Sequence, residues 1–209
     1  MAISSSPFEV VLFDVGGVLL RLDYRRAFRE LGFGGRTDVQ SAMTQLGADP
    51  DYDAFERGHI DEDTYRRRLE GKLGRSLPEA TFRELWNGIV GEPFDGVVDS
   101  LTRLRQRARV YALTNSNATH MRSVRERFSW LFAIDGCFSS HELGYRKPER
   151  PIFDLTLQRI GTIPSRVLYF DDREENVASA RLAGMESILV RESPRDWMQT
   201  LRDFRVLED

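Results

Sequence analysis

The sequence predicts an α/β protein, built on a doubly wound parallel sheet with an α-helical domain inserted after the first strand. Three observations predict it. Phe8 to Phe13 is an apolar run interrupted only by Glu9, as in a strand buried on both faces, and it stops at Asp14 and two glycines. From Leu22 to Pro93 apolar residues recur at helical spacing, with no convincing strand. From Gly96 onward short apolar runs alternate with helical stripes, the grammar of strand-helix-strand units with right-handed crossovers.

Within the insert, a helix starting at Asp61 has acids in its first turn and places Tyr65, Leu69 and Leu73 together. Ser76 and Glu79, around Pro78, have the spacing of a capping box. Phe82, Leu85, Trp86 and Ile89 then share one face, and Gly91 and Pro93 close the segment. Arg25, Arg26 and the run Arg66 to Arg68 read as solvated helix faces. After Gly96 come a helical stripe (Val97, Leu101, Leu104), a strand over 109–113 that ends at Thr114-Asn115-Ser116-Asn117, and an apolar piece over 133–138. Lys147 lies in the loop that follows. Phe153, Leu157 and Ile160 mark a helix ended by Gly161, and the strand over 166–170 stops at Asp171-Asp172. A helix over 174–183, a strand over 187–190 and a helix over 195–206 complete a Rossmann-like core, assigned to residues 1–21 and 94–209 around a helical insert at 22–93.

A chain of 209 residues, 41% hydrophobic and 30% charged, is expected to be a soluble globular protein. Its net charge of −3 gives no long-range attraction for nucleic acid or an anionic membrane. No stretch approaches the roughly 20 apolar residues of a membrane helix, and MAISSSPFEV has neither the basic nor the apolar part of a signal peptide. The single cysteine, Cys137, rules out an internal disulfide and reads as a small core residue. A cytoplasmic monomer or weak homodimer is expected. His59, His120 and His141 lack partners at metal-ligand spacing and are read as surface or local hydrogen-bonding residues.

The chemistry lies where strands end. Asp14, Thr114 with Asn115, Lys147, and Asp171 with Asp172 all follow separate strands and so share one edge of the sheet. Three carboxylates without a His or Cys pair favour a hard cation with oxygen ligands, Mg²⁺ above all. A lysine and a hydroxyl beside it suit a phosphoryl group, whose transfer depends on positioning and charge neutralisation. An Asp at such a site can attack phosphorus.

These residues resemble the motifs of the haloacid dehalogenase (HAD) superfamily phosphatases. FDVGGVLL resembles the first motif, LTNSN the second, RKPERPIF the third and VLYFDDREENVASARLAGM the fourth. The Asp-x-Gly first motif, FERGHIDEDTYRRRL and SHELGYRKP are similar to the sugar-phosphatase branch that includes bacterial α-glucose-1-phosphate phosphatase. The resemblance implies a cap domain for the helical insert and Asp14 as nucleophile. It implies Mg²⁺ held by Asp14, the Gly16 carbonyl and Asp172, with Asp171 orienting or binding through water. Thr114, the backbone around Asn115 and Lys147 would hold the phosphate. The expected activity is hydrolysis of small phosphorylated metabolites, sugar phosphates such as a hexose 1-phosphate, through an aspartyl-phosphate.

One position departs from the family pattern. Most of these phosphatases carry an acid/base Asp where this chain has Gly16. An anomeric phosphate, whose leaving oxygen needs little help, would explain its absence. Asp23 is a substitute on proximity alone, and a slow or silent binding module is the alternative. A 2-haloacid dehalogenase would also use Asp14, but it needs no acidic pair at 171 and 172. Phe55, Glu56 and Trp86 are candidates for the pocket or for packing.

Overall fold

The computed structural model describes residues 6–31 and 39–207. Strand β1 (Val10–Phe13) is buried throughout, because Val11 and Phe13 enter one core cluster and Val10 and Leu12 another on the opposite face. It starts at Val10, since Phe8 leaves the sheet and packs edge-on to Phe204 at 5.1 Å.

After a tight turn the chain forms β2 (Leu20–Leu22) and then five helices: α1 (Arg25–Leu31), α2 (Val39–Gly47), α3 (Pro50–Glu56), α4 (Glu62–Leu73) and α5 (Glu79–Asn87). It returns on β3 (Val90–Pro93), which pairs antiparallel with β2. The expectation of a strand-free region from Leu22 to Pro93 is thus corrected: the insert begins and ends on a two-stranded ribbon. The ribbon contains Arg21, Gly91 and Pro93, so its composition does not mark a strand. It forms because the two ends of the insert meet.

Asp61 caps α4 as expected, accepting from the Thr64 amide at 2.8 Å. The capping box before α5 does not form. Pro78 takes the cap position without a side-chain bond, while Glu70 accepts from the Leu77 amide at 2.6 Å and draws the Ser76 hydroxyl to 3.4 Å. The helices share a core of their own around Phe55, Tyr65, Phe82 and Trp86. Arg25, Arg26, Arg67 and Arg68 make exposed ion pairs. Arg66 is more enclosed and donates to the Leu77 carbonyl at 2.9 Å, tying α4 to the approach of α5.

The rest alternates: α6 (Val97–Leu104), β4 (Arg109–Thr114), α7 (Ala118–Arg127), β5 (Gly136–Ser139), α8 (Ser140–Leu143), α9 (Arg150–Ile160), β6 (Val167–Asp171), α10 (Glu174–Leu182), β7 (Glu186–Leu189) and α11 (Arg195–Asp203). The five long-range strands run parallel in the order β5-β4-β1-β6-β7. Leu101, Leu104, Val124, Trp197 and Leu201 cover one face of the sheet, and Phe153, Leu157, Ile160 and Ala180 the other. This is a doubly wound, Rossmann-like α/β core. The apolar piece over 133–138 becomes strand only at Gly136, after a 3₁₀ turn at Ser129–Phe132. Cys137 packs on the core, and burial pushes its thiol up to about 12. Among the described residues, no helix is long and apolar enough to cross a membrane.

Candidate active site

Because β4, β1 and β6 are neighbours, their carboxyl ends set Thr114, Asp14 and Asp171 in a row. Lys147 reaches them from the loop after α8. Its Nζ lies 2.9 Å from Asp14 Oδ1, 2.8 Å from Asp171 Oδ2 and 2.9 Å from the Leu113 carbonyl, all in a buried setting. Burial opposes the ammonium, but the two carboxylates outweigh it and hold its pKa above the ordinary lysine value.

The acids divide by environment. Asp171 is fully buried and accepts from Lys147, from Asn176 Nδ2 at 2.9 Å, from the Arg173 amide at 2.9 Å and from the Tyr169 hydroxyl. Burial pushes its carboxyl up, yet Lys147 and these donors hold it below the usual carboxylate range. Asp172 keeps an exposed edge on the cleft. Its walls withdraw it from bulk water and, with Asp171 beside it, push its pKa up to about 6 against Lys147. Asp14 is raised chiefly by burial, opposed by Lys147.

Oxygen atoms of Asp14, Asp171 and Asp172 lie within 4.8 Å of one another. Three carboxylates around one ammonium leave excess negative charge, and an all-oxygen donor set fits a hard divalent cation. Asp171 is already committed to protein donors, whereas Asp172 is open. Gly17, at φ +77°, runs hard against it: a Cβ there would lie 2.3 Å from Asp172 Oδ2. Asp14 Oδ1 accepts from the Val15 amide at 2.6 Å and from Lys147, which leaves Oδ2 uncommitted.

Thr114 is buried, with its hydroxyl at only 3.5 Å from the Asn115 carbonyl, so it retains capacity to donate to a ligand. The Asn115 side chain is used differently. Its Nδ2 donates to the Lys147 carbonyl and its Oδ1 accepts from the Lys147 amide, both at 2.8 Å. It clamps the lysine, so a substrate contact there falls to the backbone. Asp23 turns out to Arg25, which lowers its pKa to about 2, and it does not line the cleft. Of the pocket candidates, Phe55 packs on Tyr65 inside the insert, while Glu56 and Trp86 line the cavity beside Gly16. His120 is no surface residue: its ring lies on Trp86 at 5.5 Å and Nε2 is 2.8 Å from the Trp86 carbonyl.

Sequence reasoning missed Tyr169 and Asn176, which hold Asp171, and Tyr24, Tyr52 and Arg146 on the cleft wall. Asn176 lies on the first turn of α10, five residues after Asp171, and that spacing was its signal. The tyrosine hydroxyls carry no mark in the sequence.

The haloacid dehalogenase-like hydrolase family matches residues 8–184. The chain belongs to that family, and within it is a phosphatase, a phosphoric monoester hydrolase. It is 27% identical to D-ribitol-5-phosphate phosphatase of Bacteroides thetaiotaomicron, over 91% of this chain and 95% of that one. It is 30% identical to the sesquiterpene phosphatase astK of Aspergillus oryzae, over 89% of this chain and 91% of that one. A HAD family enzyme of B. thetaiotaomicron, solved with magnesium and inorganic phosphate, superposes with a TM-score of 0.80 at 24% identity, over 93% of this chain and 100% of that one.

Proposed function

We propose that the chain hydrolyses monophosphates of small metabolites, sugar phosphates such as a hexose 1-phosphate, through a phosphoryl group carried on Asp14. The observation that carries this reading is the buried Lys147, bracketed by Asp14 and Asp171 with Asp172 open beside them. Asp14 attacks phosphorus with its uncommitted oxygen. Lys147, the Thr114 hydroxyl and the backbone at Asn115 hold the phosphoryl oxygens, and Asp171 keeps Lys147 in place. Asp14, the Gly16 carbonyl and Asp172 would hold Mg²⁺, which supplies positive charge for the phosphoryl oxygens when bound.

The insert over residues 22–93 is read as the cap over this site. The cleft between insert and core, about 950 Å³, is walled by Tyr24, Asp53, Arg57, Arg146 and Arg173, groups able to bind hydroxyls. The polyol phosphate named for the Bacteroides relative fits such a wall. A second reading rests on the inner chamber of about 70 Å³ behind Gly16, where Leu20, Leu22, Leu46, Trp86, Ile89 and Met121 favour a hydrocarbon group. The substrate class of the Aspergillus relative supports it.

The test is phosphate release from hexose 1-phosphates, polyol phosphates and prenyl monophosphates, with and without Mg²⁺, by wild type and Asp14→Asn. Metal-dependent release of sugar or polyol phosphates that vanishes in the variant is expected. Preference for prenyl esters would move the assignment to the second reading, and release by Asp14→Asn would end the phospho-aspartate mechanism.

A further inference from the structure

A leaving oxygen must gain a proton and the attacking water must lose one, but residue 16 has no side chain to carry either. Its space is also taken, since a Cβ on Gly16 would meet Leu22 Cδ1 at 2.7 Å. We propose, on the basis of the phosphatase reading above, that Glu56 of α3 is the proton carrier of the reaction, delivered to the core site from the helical insert.

Among the described residues, Glu56 is the one acid that lines both the cleft of Asp14 and the inner chamber behind Gly16. The other acids on the cleft wall are committed. Asp53 holds Arg57 at 2.7 Å and Arg146 at 2.8 Å, Glu149 holds Arg57 at 2.9 Å, Glu174 holds Arg191 at 2.9 Å, and Glu175 holds Arg173 at 2.8 Å. Asp14 and Asp172 belong to the phosphoryl site. His120 faces the chamber, but its two nitrogens lie against the Trp86 carbonyl at 2.8 Å and Asn117 Nδ2 at 3.4 Å.

Glu56 is 4% exposed. Its Oε1 accepts from the Tyr52 hydroxyl, and its Oε2 lies 2.7 Å from an Arg146 nitrogen without an aligned hydrogen bond. Oε2 is thus the carboxylate oxygen that no hydrogen bond holds. The charged and titratable groups around it are Tyr52 and Asp53 of α3, Tyr24, Tyr65 of α4, Arg146 and Arg173. Burial raises its pKa above the ordinary Glu value, with Arg146 and Tyr52 pulling back, so its carboxyl holds a proton more readily than a free Glu does. Its carbonyl accepts from Ser140 Oγ at 2.6 Å, so the end of α3 is pinned to the core.

The steps balance. In the first, the Asp14–phosphorus bond forms, the bond from phosphorus to the leaving oxygen breaks, and the Glu56 proton passes to that oxygen. In the second, a water oxygen bonds phosphorus, the Asp14–phosphorus bond breaks, and a water proton passes to Glu56. The products are the free alcohol and inorganic phosphate, and both carboxyl groups return to their starting state.

The experiment compares wild type, Glu56→Gln and Glu56→Asp on p-nitrophenyl phosphate and on ribitol 5-phosphate across pH, with melting temperatures taken without metal. With Glu56→Gln, p-nitrophenyl phosphate should give a burst of about one nitrophenol per enzyme, followed by turnover roughly 100-fold slower than wild type. Ribitol 5-phosphate should give no burst and a loss of at least that size. Glu56→Asp should recover part of both rates with a displaced pH profile. Equal losses on both esters with no burst and an unmoved pH profile would make Glu56 a structural anchor and overturn the proposal. If Glu56→Gln melts far below wild type, Tyr52→Phe serves instead: a shifted pH profile supports the proposal and an unchanged one overturns it. Wild type inactive on both esters and on the wider panel would overturn the phosphatase reading itself.

Discussion

Lys147 sets the electrostatics of the site. It neutralises two buried carboxylates that would otherwise repel each other, and removal of one partner from a buried charge cluster costs about 3–5 kcal/mol. Lys147→Ala should therefore lower stability in urea by about that amount and reduce phosphate release at least about 100-fold. Mg²⁺ should raise the melting temperature of Lys147→Ala more than that of wild type, because a cation can replace the missing charge. A variant as stable as wild type would mean that Asp14 is held neutral without the lysine. Asp14, Lys147 and the acidic pair were legible in the sequence because each is a charged group directly after a strand or in its loop, where chemistry and position are local facts. Asn115 is expected to meet phosphate through its backbone, and its side chain grips the Lys147 backbone, 32 residues away, a partner that nothing near Asn115 announces.

α3 is one of the elements that join insert and core. Arg57 reaches Glu149 on one side of Lys147, and Asp53 reaches Arg146 on the other. These pairs are partly exposed, so a double-mutant cycle on Arg57 and Glu149 should give a coupling of only about 1 kcal/mol or less, falling with salt. The sharper test is Gly58, just beyond α3. It sits at φ +70° with the His141 carbonyl 2.4 Å from where a Cβ would lie. Gly58→Ala should cost more than about 1 kcal/mol in urea unfolding, since the strained backbone and the contact both work against it. A neutral result would mean that α3 does not approach α8 so closely. FERGHIDEDTY was legible as part of the helical insert, but not the reason for its glycine, which depends on a carbonyl far along the chain. The β2–β3 ribbon was hidden for a similar cause: its residues are poor strand formers, and only closure of the insert brings them together.

Across the whole molecule, the contact between α7 of the core and α5 of the insert couples stability to pH. His120 on α7 lies flat on Trp86, and this enclosure pushes its pKa down to about 4, against the weaker pull of the Trp86 carbonyl. In the unfolded chain a histidine titrates near about 6.5. Above that value neither state is protonated, and the packing contributes fully. As pH falls from about 6.5 to about 4, the unfolded chain binds a proton that the folded one refuses, so stability drops by roughly 1.4 kcal/mol per unit. Below about 4 both states carry the proton and the loss stops. Asp172, with its pKa raised to about 6, contributes in the opposite sense, because its folded carboxylate takes up a proton before the unfolded one does. His120→Gln separates the two. Urea midpoints at pH 7, 6, 5 and 4 should fall more steeply for wild type than for the variant, and the gap in slope measures His120 alone. Parallel curves would show that this histidine meets water freely, and then the insert does not rest on the core through Trp86 as described.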